Sequence, residues 1–264
     1  MNEASAARAR TDVVIGPAGL SYRPGGDSQV APGSMVSAFG NPIMSPLSSQ
    51  LVFAPLSVGV LAPWELGGVN VTVAGRAVPV IYTSPGRLAF YVPADLPLGP
   101  AEVIITSQDG YISTGVVTLA KNVSLIMTTA DNGTGPAIAL NAGNKTTGPF
   151  DLNTGDNFGN DKRTRVTFFA TGISGSVINS DLTNDLVGGS APGANFAESI
   201  VVEARTQDGH TVRLPVEFAG AQGVLPGMDQ VTVVLTPNLK GAGTVQLNLI
   251  INGQASNSAT IVVR

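Results

Sequence analysis

The chain has 264 residues, a net charge of −4, a single histidine and no cysteine. A disulfide framework, a thiolate metal site and a cysteine nucleophile are thereby excluded, and a lone histidine speaks against catalytic zinc. The acidic balance and thinly scattered Lys and Arg argue against a nucleic-acid surface, and no apolar run reaches the ~18 residues of a membrane span.

Hydrophobic residues make up 43% of the chain, ample for two cores. Charged residues are only 12%, about half the ~25% usual in a soluble domain. Polarity is supplied instead by Ser, Thr, Asn and Gln, and 32 Gly with 18 Pro suit many short strands joined by tight turns. This composition resembles that of secreted bacterial β-proteins, so an extracellular or cell-surface location is expected, although MNEASAARAR at the N-terminus shows no apolar h-region of a secretory signal.

Residues 1–29 read as a polar arm followed by a first strand, TDVVIG at 11–16, and a turn-rich approach. A first domain is expected over 30–122. In VNVTV (69–73) Val69, Val71 and Val73 share one face and Asn70 and Thr72 the other, the period-2 signature of a half-buried strand. AVPVIY closes that hairpin, SPGRLAFYVP reads as an elbow and strand, and EVIITS–QDG–YISTGVVTL is a second hairpin about Asp109-Gly110. LVFAPLSVGVLAPW (51–64) reads as a buried or interfacial loop. Residues 123–161 read as a connector with some strand character ending in a polar loop, and 162–264 as a second domain.

The second domain repeats the order of the first after about 130–140 residues. RVTFFATGI answers MVSAFG, IVVEARTQDGHTVRLPVEF answers VNVTVAGRAVPVIY, DQVTVVLTP follows a second Pro-Gly elbow, and TVQLNLIINGQASNSATIVV closes the unit. No stretch has a convincing helical period. The expected fold is all-β: two immunoglobulin-like sandwiches in tandem.

VAPGSMVSAFG, GGVNVTVAGRAVPVIYTSPGRLAFYVP, VTFFATGI and INGQASNSATIVV, in this order, resemble the Solibacter-type C-terminal domain of secreted acidobacterial proteins. The resemblance spans residues ~30–264. It implies tandem IPT/TIG-type immunoglobulin folds with no enzymatic activity attached. The chain departs from the family pattern after the elbow, where Arg87, Leu88 and Ala89 stand in place of Gln-Ile/Val-Asn.

No residue pattern points to catalysis. His210 lies in the turn QDGH, where a general base would lack the packing and carboxylate that orient it. The acids mostly occupy turns (Asp109, Asp208, Asp229) or exposed strand faces (Glu102, Glu203, Glu217), so a glycosidase pair is not expected. Trp64 with Phe53, or Tyr82 with Tyr91, are the candidate sugar-stacking pairs, with burial in a core the expected fate of these rings. The candidate metal ligands are Asp151, Asn153, Asp156 and Asp161 in DLNTGDNFGND, whose oxygen-rich side chains suit calcium. The EF-hand pattern fails there, since Gly155 and Lys162 occupy two ligand positions, and no cofactor is expected otherwise.

The leading functional expectation is a non-enzymatic extracellular structural protein whose copies bind one another, a surface or filament subunit. Asp12, Val13, Val14 and Ile15 are the candidate assembly residues, since a strand near the start of a chain can complete a neighbour's sheet, the other reading being that it pairs within its own first domain. The alternative is a carbohydrate- or protein-binding surface module or accessory domain.

Overall fold

The computed structural model describes residues 10–17, 29–42, 46–57, 62–158, 160–177 and 194–264. They form an all-β protein of two immunoglobulin-like sandwiches in tandem. Among the described residues no helix is long and apolar enough to cross a membrane.

The first sandwich contains β1 (Arg10–Asp12), β2 (Val14–Pro17), β3 (Gln29–Val30), β4 (Met35–Phe39), β5 (Val52–Phe53), β6 (Glu65–Leu66), β7 (Val69–Val73), β8 (Arg76–Val78), β9 (Val80–Thr83), β10 (Arg87–Tyr91), β11 (Gly99–Thr106) and β12 (Ile112–Leu119). One sheet runs β1-β12-β11-β7-β6, with β3 also on β12 and β8 on β7; the facing sheet runs β2-β4-β10-β9-β5. Alternation fills the space between them. Val69, Val71, Val73, Ala101, Val103 and Ile105 from one sheet meet Val36, Ala38, Leu88 and Phe90 from the other, all buried. Burying each Val- or Leu-sized side chain stabilises the fold by roughly 1.5–3 kcal/mol.

The second sandwich comprises β13 (Leu125–Ile126), β14 (Ala139–Asn141), the hairpin β15 (Asn153–Phe158) and β16 (Asp161–Arg163), β17 (Arg165–Thr171), a short helix α1 (Ile173–Val177), β18 (Ile200–Arg205), β19 (Thr211–Leu214), β20 (Val216–Ala221), β21 (Met228–Val234), β22 (Gly243–Ile251), β23 (Gln254–Ala255) and β24 (Ala259–Val263). Its sheets run β13-β17-β21-β20 and β19-β18-β22-β23, with β14 on β17 and β24 on β22. Val166, Phe168, Val233, Leu247 and Ile261 lie in its core.

The duplication extends to how the chain changes sheets. β8 and β9 belong to opposite sheets and are separated by Pro79; β19 and β20 are likewise separated by Pro215. Proline has no N–H to give a ladder, so in both halves the crossing falls on the residue that cannot pair. The entry to each sandwich is also split. β2 runs antiparallel to β4 while β1 and β3 run parallel to β12, and in the second half β13 pairs β17 while Pro136 and Phe150 form parallel bridges to Thr260 and Val263.

The structure adds detail to three expectations. The stretch 123–161, read as a connector and polar loop, contains β13 and β14, which pair with β17, and Ile126, Ala139 and Phe150 sit in the second core. β13 and β14 are two and three residues long, too short to show a period, while the six-residue β15 falls in the part read as a polar loop. The 51–64 segment, read as a buried or interfacial loop, is mixed: Ala54 and Ala62 are buried and Leu56 packs at the seam, whereas Trp64 is exposed and so are Leu51 and Phe53 beside and on β5, the last strand of its sheet; residues 58–61 lie outside those described. Within this chain, finally, the TDVVIG strand completes its own sandwich. Val13 and Ile15 are buried in the first core, and Gly115 on β12 leaves the room they take: a Cβ there would fall 2.8 Å from the Val13 carbonyl oxygen and from Ile15 Cγ1. The side chains of Asp12 and Val14 lie outside those described.

Candidate functional site

The functional geometry centres on the seam where the two sandwiches meet. The outer face of the β2-β4-β10-β9-β5 sheet presents Met35, Ala89 and Tyr91 on alternate positions. A bulge opposite Ala89/Phe90 turns both Ile81 and Tyr82 to the same side. Half of this face is covered: Met35, Ile81, Ala89 and Tyr91 pack with Met127, against Phe169, Leu225 and Met228 of the second sandwich.

Backbone contacts fix the register of this seam. The Met35 amide donates to the Gly227 carbonyl at 3.1 Å and to Thr171 Oγ1 at 3.1 Å, and Thr171 Oγ1 in turn donates to the Gly227 carbonyl at 2.8 Å. The Pro32-Gly33 turn is tied back to its own sandwich by Gly33 N–H to the Val92 carbonyl, 2.8 Å, and rests on α1. Asp229, on β21, holds that helix: its carboxylate accepts from the Ile173 amide at 2.8 Å and from the Ser174 amide and hydroxyl. Asp229 is 2% exposed. Burial pushes its carboxyl up to about 6 against the lowering effect of the three donors.

The uncovered half of the same face is a ledge of rings and charge. Phe53 is 66% exposed and its ring lies 5.8 Å from that of Tyr82 at a tilt of 37°. The Arg87 guanidinium sits 5.0 Å from the Phe39 ring centroid and 5.8 Å from that of Tyr82, within cation–π range. Arg87 also donates to Ser37 Oγ at 3.1 Å and pairs with Asp131 across the seam. Burial lowers the Arg87 pKa from its ordinary value and raises that of Tyr82.

Of the two expected ring pairs neither forms. Tyr91 is buried in the seam while Tyr82 reaches the rim, and Phe53 partners Tyr82 rather than Trp64. Arg87 and Asp131 are the residues that sequence reading missed as a pair.

The candidate calcium ligands fall on and beside the β15–β16 hairpin rather than in a loop. Asp151 and Asn153 are exposed, and Asn153 pairs in register with Arg163. Asp161 receives Arg163 Nη2 at 2.7 Å and Arg165 Nη2 at 2.8 Å, and Arg165 continues to Glu217 through two 2.8 Å bonds. These guanidinium bonds hold the Asp161 carboxyl far below the usual carboxylate range. The Asp156 side chain lies outside those described, and among the described residues no group of three or more His, Cys, Asp or Glu is placed to hold a metal. His210 is exposed at a hairpin tip, its Nε2 3.6 Å from Asp208 Oδ2.

No protein-family model matches the chain, and no curated protein matches it. Among solved structures it is similar to the Bacteroides ovatus mixed-linkage glucan utilization locus protein SGBP-B, described in complex with a mixed-linkage heptasaccharide. Identity is 12% over 93% of this chain and 45% of that one, with a TM-score of 0.35. It is also similar to bovine butyrophilin, at 11% identity over 96% of this chain and 98% of that one, with a TM-score of 0.24. The chain spans under half the length of the glucan-utilization protein. At these TM-scores the likeness is one of strand-rich architecture only.

Proposed function

We propose that the chain is a non-enzymatic extracellular protein of the Solibacter C-terminal type, a structural unit of a surface or filament whose copies associate through their immunoglobulin-like domains. The observation that carries this reading is the seam. Backbone-to-backbone contact of Met35 with Gly227, closed by an apolar cluster, joins the two sandwiches over a shared face, as a load-bearing repeat unit requires. The N-terminal strand is the element through which copies would join. It contributes Val13 and Ile15 to a slot lined by Gly115, and the same strand of a second copy fits the same slot by the same backbone pairing.

Light scattering and negative-stain microscopy of the full chain, beside a chain lacking residues 1–16, test this. Ordered assemblies that disappear on truncation, with both sandwiches still folded, are the expected result. Monomers alone at high concentration would sink it.

A second reading, a carbohydrate- or protein-binding surface module, is favoured by the ledge, where an exposed Phe53 ring stands against Tyr82, which also lies 5.8 Å from the Arg87 guanidinium. Loss of glycan or protein binding in Phe53→Ser, at unchanged Tm, is the result that reading expects.

A further inference from the structure

A cleft of about 540 Å³ opens at one end of the second sandwich, inside the ~300–1,000 Å³ range of small-molecule sites. One wall is the β18–β19 turn with Thr206, Gln207, Asp208 and His210; the other is the loop after the 3-10 turn Pro237–Leu239, with Asn238 and Lys240. Val212 and Ala242, both packed against the second core, supply apolar surface between them. We propose that this cleft binds an anionic sugar, a uronate unit of an acidic glycan, with Lys240 on the sugar carboxylate and Asp208, Asn238 and Gln207 on its hydroxyls.

The backbone of both walls is set before any ligand arrives. Asp208 Oδ1 accepts from the Thr206 hydroxyl and, at 3.4 Å, from the His210 amide, while the Thr206 amide donates to the His210 carbonyl at 2.9 Å. On the other side Leu239 is fully buried as an anchor, and the Lys240 amide bonds the Pro237 carbonyl at 3.0 Å. A preorganised site loses less entropy on binding. Small-molecule sites are mostly apolar with a few polar groups; this one reverses the proportion, which suits a ligand covered in hydroxyls with one apolar C–H face.

The charge selects among sugars. Lys240 is the one Lys or Arg that lines the cleft, and it has no carboxylate partner among the described residues. Asp208, the one carboxylate of the cleft, keeps Oδ2 facing His210 Nε2 at 3.6 Å, on the wall opposite Lys240. A uronate therefore meets a cation on one side and a hydroxyl acceptor on the other.

This inference gives the carbohydrate-binding reading a site and a ligand class, and rests on that reading. His210 is the sole histidine, so its imidazole NMR signals report on the cleft without ambiguity. The full chain is titrated at fixed pH with trigalacturonate, cellotriose and acetate, alongside calorimetry. Trigalacturonate should move the His210 signals saturably, cellotriose should bind at least roughly tenfold more weakly, acetate should not compete, and Lys240→Gln should abolish the preference. Equal binding of cellotriose, competition by acetate, or a preference for trigalacturonate that survives Lys240→Gln overturns the proposal. Glycan binding that leaves His210 unmoved and is lost in Phe53→Ser also overturns it while the carbohydrate reading stands. No heat and no shift with either glycan removes both.

Discussion

The Cα of Gly175 faces the carbonyl oxygen of Pro32 across the seam so closely that a Cβ built on the glycine would lie 1.4 Å from that oxygen. Gly227 stands in a similar relation to Met35, with a Cβ 2.3 Å from its amide nitrogen and a φ of +73° that disfavours other residues. Both near neighbours are backbone, so neither clash is relieved by turning a side chain. The APGS opener of the first sandwich and the ATGIS stretch of the second are thus two halves of one joint.

Gly175→Ala should open that joint. The added methyl has to displace the Pro32-Gly33 turn or α1, an overpacking cost of about 1–3 kcal/mol. The expected outcome is a lower Tm together with protease cleavage between the sandwiches, while each sandwich keeps its strand signature by circular dichroism. An unchanged Tm and cleavage pattern would mean the seam is not closed in solution.

The sandwiches were largely legible, because alternation writes a half-buried strand directly into the residue order. Val71, Val73, Phe90, Val103 and Ile105 in the first half, and Val166, Phe168, Val233, Leu247 and Ile261 in the second, are all buried. The seam was not legible. Met35, Ala89 and Tyr91 alternate with Val36, Leu88 and Phe90, so at the seam end both faces of β4 and β10 are apolar, and such runs say only that something covers each side, not what. The Arg87–Asp131 pair was hidden for another reason: its members are 44 residues apart, and nothing local to either names the other.

Asp229 should make stability depend on pH in the direction opposite to a paired carboxylate. Its folded pKa is raised from 3.8 to about 6, so the stabilisation is fully present below pH 3.8 and is lost as pH rises through 6. Asp229→Asn removes this titration. Stability of wild type minus Asp229→Asn, from urea melts at a series of pH values, should fall by on the order of 2–3 kcal/mol between pH 4 and 6 and be flat above 7. A flat difference throughout would show that the amide and hydroxyl donors of Ile173 and Ser174 fully offset burial.

Calcium should leave the melting temperature unchanged. Asp161, one of the four oxygen ligands the sequence offers, already faces two guanidinium groups, and a cation would have to displace them. Scanning calorimetry with excess calcium and with EDTA checks this. Asp161→Ala should lower Tm equally in both, because it strips Arg165 of one of two carboxylates while that guanidinium is only 9% exposed. A calcium-dependent rise in Tm that Asp161→Ala removes would restore the hairpin as a metal site.

Arg87→Gln should loosen the seam from its rim. Glutamine keeps a polar, unbranched side chain on the strand and removes the guanidinium. The guanidinium is about a quarter exposed and its partner Asp131 more so, which places the ion pair above a fully exposed one and well below a buried one. The Phe39 and Tyr82 rings add a cation–π contribution of about 0.5–1 kcal/mol. A total loss of roughly 1–2 kcal/mol is expected. A double-mutant cycle with Asp131→Ala apportions it: coupling of a few tenths of a kcal/mol or more assigns the loss to the pair across the seam. Zero coupling with the full loss retained would assign it to the rings alone, and Arg87 would then belong to the ledge and not to the joint.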